Sequence, residues 1–131
     1  MVPAVNQILY HVGMAGTADP AGIVQLMKDR GIFVQAYSPL QGSNDYASQL
    51  LKNPTVVRIA SALKRSPAQV LLKWVVQQGH AVVTATNVDE QEYMKEDLDI
   101  FGWDMTDADI DSLSALEGFP DDPVKGMCLL D

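Results

Sequence analysis

A few polar side chains interrupt the apolar runs of this 131-residue chain in places where they could do chemistry. Gln7 lies inside an apolar stretch, and its amide offers both a donor and an acceptor. Tyr37 closes a second stretch and leads into Ser38-Pro39-Leu40-Gln41-Gly42-Ser43, a turn-forming loop whose backbone N–H groups and hydroxyls suit an anion. Glu96 and Asp97 are adjacent acceptors in a charged segment. Taken singly, each has an ordinary reading: a strand glutamine bonded to backbone, a core tyrosine, a plain loop, solvated helix charges. His11 and His80 have no clustered cysteine partners, so no metal site is expected. Cys128 is the single cysteine, which rules out an internal disulfide and fits a reducing compartment.

The elements that must position these residues follow from pattern. Ala4–Leu9, Ile32–Tyr37 and Ala81–Thr86 are short apolar runs without clean alternation, as expected of parallel strands covered on both faces. Helical patterns separate them. Ala21–Arg30 places Ile23, Val24, Leu26 and Met27 on one side, and Gly31 supplies a left-handed stop. Asn53-Pro54 opens a helix with an apolar stripe of Val56, Val57, Ile59, Ala60 and Leu63. Ser66-Pro67-Ala68-Gln69 is a capping box, and the helix it starts carries Val70, Leu71, Trp74 and Val75 before Gly79. Asp89 with Glu92 opens another helix ending near Leu98. Thr106-Asp107-Ala108-Asp109 opens the last, with Ile110, Leu113 and Leu116 inward and Gly118 after it. Both tryptophans, Trp74 and Trp103, are read as core residues. This order of elements implies right-handed parallel βαβ units. Three strands cannot close a barrel by themselves.

Composition narrows the function. An apolar content of 47% suits one packed domain, and the formal net charge of −8 with no basic stripe argues against nucleic acid and anionic membrane surfaces. No targeting segment or bilayer-length apolar run is visible, so a cytoplasmic protein is expected. The first residues already read as a buried strand, from which we expect further chain upstream.

Particular residues then go beyond pattern. Pro3-Ala4-Val5-Asn6-Gln7-Ile8 resembles the sixth-strand motif of aldo-keto reductases, and Gly31-Ile32-Phe33-Val34-Gln35-Ala36-Tyr37-Ser38-Pro39-Leu40 resembles their seventh strand. Ser66-Pro67-Ala68-Gln69-Val70-Leu71-Leu72-Lys73-Trp74 is similar to the helix that follows, and Val82-Val83-Thr84 to the eighth strand. Glu96-Asp97-Leu98-Asp99-Ile100-Phe101 and Leu113 resemble the final stretch. The motifs occur in family order. The resemblance implies an α/β fold: part of a TIM-type (β/α)8 barrel, three parallel strands with helices, the N-terminal strands absent. Residues 1–118 would be the C-terminal βα units, and 119–131 an acidic C-terminal loop or tail.

The resemblance also distributes roles. Gln7 matches a ligand of the nicotinamide carboxamide, Tyr37 the ring that stacks on the nicotinamide, and Ser38 and Leu40 the pyrophosphate loop. Ser43 would reach the same phosphates, although a glycine commonly follows the leucine where this chain has Gln41. At the adenosine end Thr86 falls at a serine position, and Glu96 and Asp97 either contact the adenine amino group or stay solvated. The lysine and arginine that usually pair with the 2′-phosphate of NADP fall at Ala85 and Tyr93, so NADP(H) binding is expected to be weakened or lost. His11 matches a histidine that is not catalytic and is read as structural. The family's catalytic Asp, Tyr, Lys and His would all precede Met1, so no catalytic residue is assigned and the chain alone is expected to be inactive.

Three functions stay open on this reading. One is an oxidoreductase segment of the family that reduces aldehydes and ketones with NAD(P)H, a small carbonyl substrate entering only a complete barrel. Another is a non-enzymatic interaction or regulatory module that self-associates through sheet edges and helix faces. The third is an inactive remnant.

Overall fold

The three apolar runs pair as strands because their β-branched and aromatic residues suit a pleated surface and helices cover one side. A computed structural model of the chain describes residues 1–14, 18–19, 22–41, 49–85, 89 and 91–117. Strand β1 is Val5–Leu9, β2 is Phe33–Tyr37 and β3 is Ala81–Val83, in the order β1-β2-β3. Both pairings are parallel. Helix α1 (Ile23–Asp29) connects β1 to β2, and α2 (Pro54–Leu63) and α3 (Pro67–Gln77) lie between β2 and β3. Helices α4 (Gln91–Leu98) and α5 (Asp107–Ser114) follow.

The register puts Leu9, Tyr37 and Val83 on one line, and each is the last residue of its strand. The third strand is shorter than the Ala81–Thr86 run predicts. Beyond Tyr37 the chain turns away at Ser38, whose φ is 50°, so β2 offers nothing further to pair with. Thr84 and Ala85 leave the ladder, and Thr86 lies outside the described residues.

One face of the sheet makes the core. Val34 and Ala36 are 3% and 0% exposed. Ala36 packs with Val56, Ile59, Val70, Leu71, Trp74 and Leu113. Tyr10 stacks on Trp74 with ring centroids 5.1 Å apart, and the Trp74 Nε1–H donates to Ser114 Oγ at 3.0 Å. The apolar stripes expected on α1 and α2 are narrower than the sequence suggests: Leu26 and Val57 are exposed beside buried Met27 and Val56. Neighbouring residues on a helix lie about 100° apart, so at the edge of the packed stripe one is buried and the next exposed, whereas Ile59 and Ala60 at its centre are both buried.

Helix α3 is the central support. Ser66 accepts from the Gln69 N–H at 3.2 Å while the Gln69 Oε1 accepts from the Ser66 N–H at 3.0 Å, the expected reciprocal cap. All seven residues from Gln69 to Val75 are buried. Three polar side chains on it, Gln69, Lys73 and Gln77, are spaced four apart and share one stripe. Gln69 Nε2 donates to the Glu96 and Asp99 carbonyls at 3.1 and 3.2 Å. Lys73 Nζ lies 3.0 Å from the Asp104 carboxylate. The Gln77 amide pairs with the Met105 N–H and carbonyl at 2.8 and 3.2 Å. The connection from α4 to α5 is thereby fastened to α3. Trp103 sits at the rim of this contact rather than inside the core. It is half-buried, with the Arg65 guanidinium and Lys73 ammonium 5.1 and 5.5 Å from its ring. Helix α5 starts as its sequence predicts, with the Thr106 hydroxyl accepting from the Asp109 N–H at 3.2 Å. Among the described residues, no helix is long and apolar enough to cross a membrane.

Candidate functional site

The second face of the sheet carries the residues of interest. Side chains alternate along a strand, so Gln35 and Tyr37 point away from buried Val34 and Ala36. Gln7 is paired in register with Gln35, and its Nε2 donates to Gln35 Oε1 at 2.9 Å. Its neighbour Asn6 points the other way, towards Met27 Sδ on α1 at 3.8 Å. Gln7, Gln35 and Tyr37 therefore share the face that the helices leave open. Val5, Phe33 and Val83 border them and are 50%, 49% and 41% exposed. Tyr37 ends its strand, and Gln7 lies two residues short of the end of β1, about 6–7 Å lower.

Directly after Tyr37 the backbone is strained. Ser38 and Gln41 have φ of 50° and 71°, and the Gln41 N–H donates to the Ser38 carbonyl at 2.9 Å. A left-handed conformation costs a non-glycine residue about 1–2 kcal/mol. Such strain persists only where the surroundings enforce it, and it collects at functional positions. Here buried Pro39 and half-buried Leu40, which packs on the core, hold the turn in place. Gln41 is itself buried and takes the conformation that a glycine would adopt freely. Ser43 lies outside the described residues.

The far end of the candidate site is different. Ala85 follows β3 and is exposed, as is Tyr93 on α4. Glu96 and Asp97 are half-buried. Burial, and then the neighbouring Glu96 charge, push the Asp97 carboxyl above its ordinary range. Helix α4 holds three carboxylates, Glu92, Glu96 and Asp97, against the single cation Lys95.

Three other titratable groups, His11, Tyr10 and His80, pack in or against the interior. His11 is buried, and its Nδ1 lies 2.8 Å from the Val12 carbonyl, so that nitrogen carries the proton. This supports the structural reading of His11. The Tyr10 hydroxyl donates to the Ala18 carbonyl at 2.6 Å, and burial, with Asp19 nearby, raises its pKa. His80 meets the Tyr10 ring edge-on at 5.2 Å. Burial lowers the His80 pKa, against the opposing effects of the Gly79 backbone and Asp19. Sequence reasoning passed over Gln35. The signal was available, since a glutamine two residues before Tyr37 in a parallel strand must share its face.

Three parallel strands joined by helices, with Tyr37 and a strained turn at the strand tips, make an α/β fold consistent with part of a TIM-type barrel. Residues 1–117 match the aldo/keto reductase family, and the chain belongs to it. An aldo-keto reductase of Mycolicibacterium vanbaalenii is 37% identical over 116 residues, which are 88% of this chain and 37% of that protein. The NAD(P)H-dependent D-xylose reductase of Pyricularia oryzae is 32% identical over 124 residues, covering 88% of this chain and 36% of its own. The crystal structure of a Gox0644 variant in complex with NADPH shares the fold, with a TM-score of 0.74 at 24% identity over 89% of this chain and 39% of that one. The chain thus spans little more than a third of the length of the curated relatives it matches.

Proposed function

We propose that residues 1–118 are the sixth to eighth βα units of an aldo-keto reductase barrel, the arc that holds the nicotinamide coenzyme, with 119–131 as a C-terminal loop. The observation that carries this reading is the common face of Gln7 and Tyr37 beside the strained Ser38–Gln41 turn, at the carboxyl ends of parallel strands. When bound in its reduced form, the nicotinamide would supply hydride to a carbonyl carbon. Gln7 would hold its carboxamide, and Tyr37 would pack against the ring so that one side stays open. The Ser38–Leu40 backbone and the Ser38 hydroxyl receive the pyrophosphate, with Ser43 beyond them. No residue of this chain is assigned the proton transfer, which falls to the strands that would complete the barrel.

The donor set fits the nicotinamide end better than the adenosine end. Ala85 and Tyr93 offer no cation to a 2′-phosphate, and α4 is net acidic. Each missing charge-assisted bond removes about 1.5–3 kcal/mol, so discrimination for NADP(H) over NAD(H) is lost. Thr86, Glu96 and Asp97 are then left as adenosine contacts. Two measurements test this. The 131-residue chain is expected to show no NADPH-dependent aldehyde reduction, and sustained turnover would overturn the placement of the acid-base group. Fluorescence titration should give similar, weak affinities for NADPH and NADH. Micromolar NADPH binding with a marked preference over NADH would overturn the loss of the phosphate grip.

The open apolar positions Val5, Phe33 and Val83 favour a second reading, an interaction module that buries this face against another chain or copy. Light scattering over a concentration series tests it, and a dilute, stable monomer would count against it.

A further inference from the structure

We infer that Gln69 is a positioning residue: its buried amide caps the start of α3 and the end of α4 together, and so holds Glu96 and Asp97 at the adenosine end of the site. The inference rests on the proposed reading of those two carboxylates as adenosine contacts. Among the described residues, α4 has little else to hold it. None of its residues is buried, and Tyr93 and Leu98 are 57% and 74% exposed. The apolar burial that usually stabilises a helix in a folded chain is therefore lacking. The last carbonyls of a helix also have no partner within it. Gln69 supplies one from α3, where Nε2 donates to the Glu96 and Asp99 carbonyls at 3.1 and 3.2 Å.

The orientation of this amide is fixed from both ends. Its Oε1 accepts from the Ser66 N–H at 3.0 Å, and its two Nε2 protons serve the two backbone carbonyls. Half a turn would set NH2 against N–H and Oε1 against both carbonyls, losing every bond. The residue is 5% exposed, so water does not replace what is lost. Other ties are weaker or lie further along. The Arg65 guanidinium pairs with Asp99, but that carboxylate is exposed and salt screens the pair. The Trp103 Nε1–H donates to the Asp99 carbonyl at 2.9 Å within one connection, so it does not join α4 to α3. Lys73 and Gln77 bind only beyond it, at Asp104 and Met105.

Amide hydrogen exchange on the full chain, read by NMR, tests the coupling. Gln69→Met and Ser66→Ala each remove one half of the α3 cap. Gln69→Met should lower protection in the last turn of α4 and at Asp99 about tenfold or more, whereas Ser66→Ala should leave it within about twofold. Equal loss in both variants, or no loss in Gln69→Met, would overturn the coupling whatever binds. The wild type gives a check that needs no variant. Both Gln69 Nε2 protons should be shifted and slow to exchange, and rapid exchange would overturn the coupling too. A second arm titrates 5′-AMP, which carries the adenosine end alone, and nicotinamide mononucleotide, which avoids it. Gln69→Met should bind 5′-AMP at least about threefold more weakly, because affinity falls with the fraction of α4 still held in place. Its affinity for nicotinamide mononucleotide should not change. A parallel loss for both ligands, or for neither, would overturn the positioning role. A wild type that does not bind 5′-AMP ends the adenosine reading of Glu96 and Asp97 and the positioning role with it, and leaves the exchange result standing on its own.

Discussion

On the helix side of the sheet, Val34 and Ala36 have lost nearly all contact with water, while one residue along the same strand Phe33 is half exposed. The helix side is closed by paired parts: the reciprocal cap of α3, the Tyr10–Trp74 stack, the Gln69–Lys73–Gln77 stripe. Among the described residues the opposite side holds the Gln7–Gln35 pair, bordered by exposed Val5, Phe33 and Val83 and, at the end of β1, by buried Leu9. The contrast separates what stabilises this chain from what it offers to a ligand or partner. Hydrophobic burial on one side holds the strands. The other side is left open to solvent at Val5, Phe33 and Val83.

The largest test of that contrast is Trp74→Ala. The ring is fully buried, stacked and hydrogen-bonded, so its loss should cost about 3–5 kcal/mol in urea unfolding. On the other face, Phe33→Ala should cost less than about 1 kcal/mol. A cost at Phe33 approaching that at Trp74 would break the comparison, because it would mean that the inner face is covered in solution. Ser66→Ala removes one half of the α3 cap and should cost about 1 kcal/mol in the same assay.

Acid sharpens the comparison further. The folded pKa of His80 lies below its ordinary value of 6.5, because burial beside Tyr10 disfavours the charged ring. The unfolded chain therefore binds more protons in this range. The stability due to neutral His80 is fully present above about pH 6.5 and is lost as pH falls through the lower, folded value. The urea midpoint should drop on acidification in this window, and His80→Asn should flatten that slope. The smallest effect is expected at Lys64, an exposed residue ending α2 with φ of 54°. Lys64→Gly should raise stability by up to about 1 kcal/mol in the same assay.

Much of the fold was legible in local chemistry. Ser66 and Gln69 specify a reciprocal cap, Asn53-Pro54 and Thr106 specify helix starts, and short β-branched runs between helices specify parallel strands. Each depends on neighbours three or four residues away, so the chain carries the information locally. The site was legible only in part. The residue types of Gln7, Tyr37 and Ser38 drew attention through motif order, and Tyr37 could be placed at a strand tip because it closes its apolar run.

Other features depend on distant partners. Which of Met27 and Leu26, or of Val56 and Val57, is buried follows from the angle at which a helix meets the sheet, and no local pattern encodes that angle. The end of β3 at Val83 is set by the turn that removes its partner after Tyr37, some 45 residues earlier in the chain. The Gln7–Gln35 bond joins positions 28 residues apart, and it exists only because the parallel register places them opposite each other. Sequence alone determined the elements and their order, because caps, turns and periodicity act over a few residues, and the family was read from the resemblance of its ordered motifs. Tertiary structure decided register, exposure and the pairing of Gln7 with Gln35, because these depend on which distant atoms come within reach.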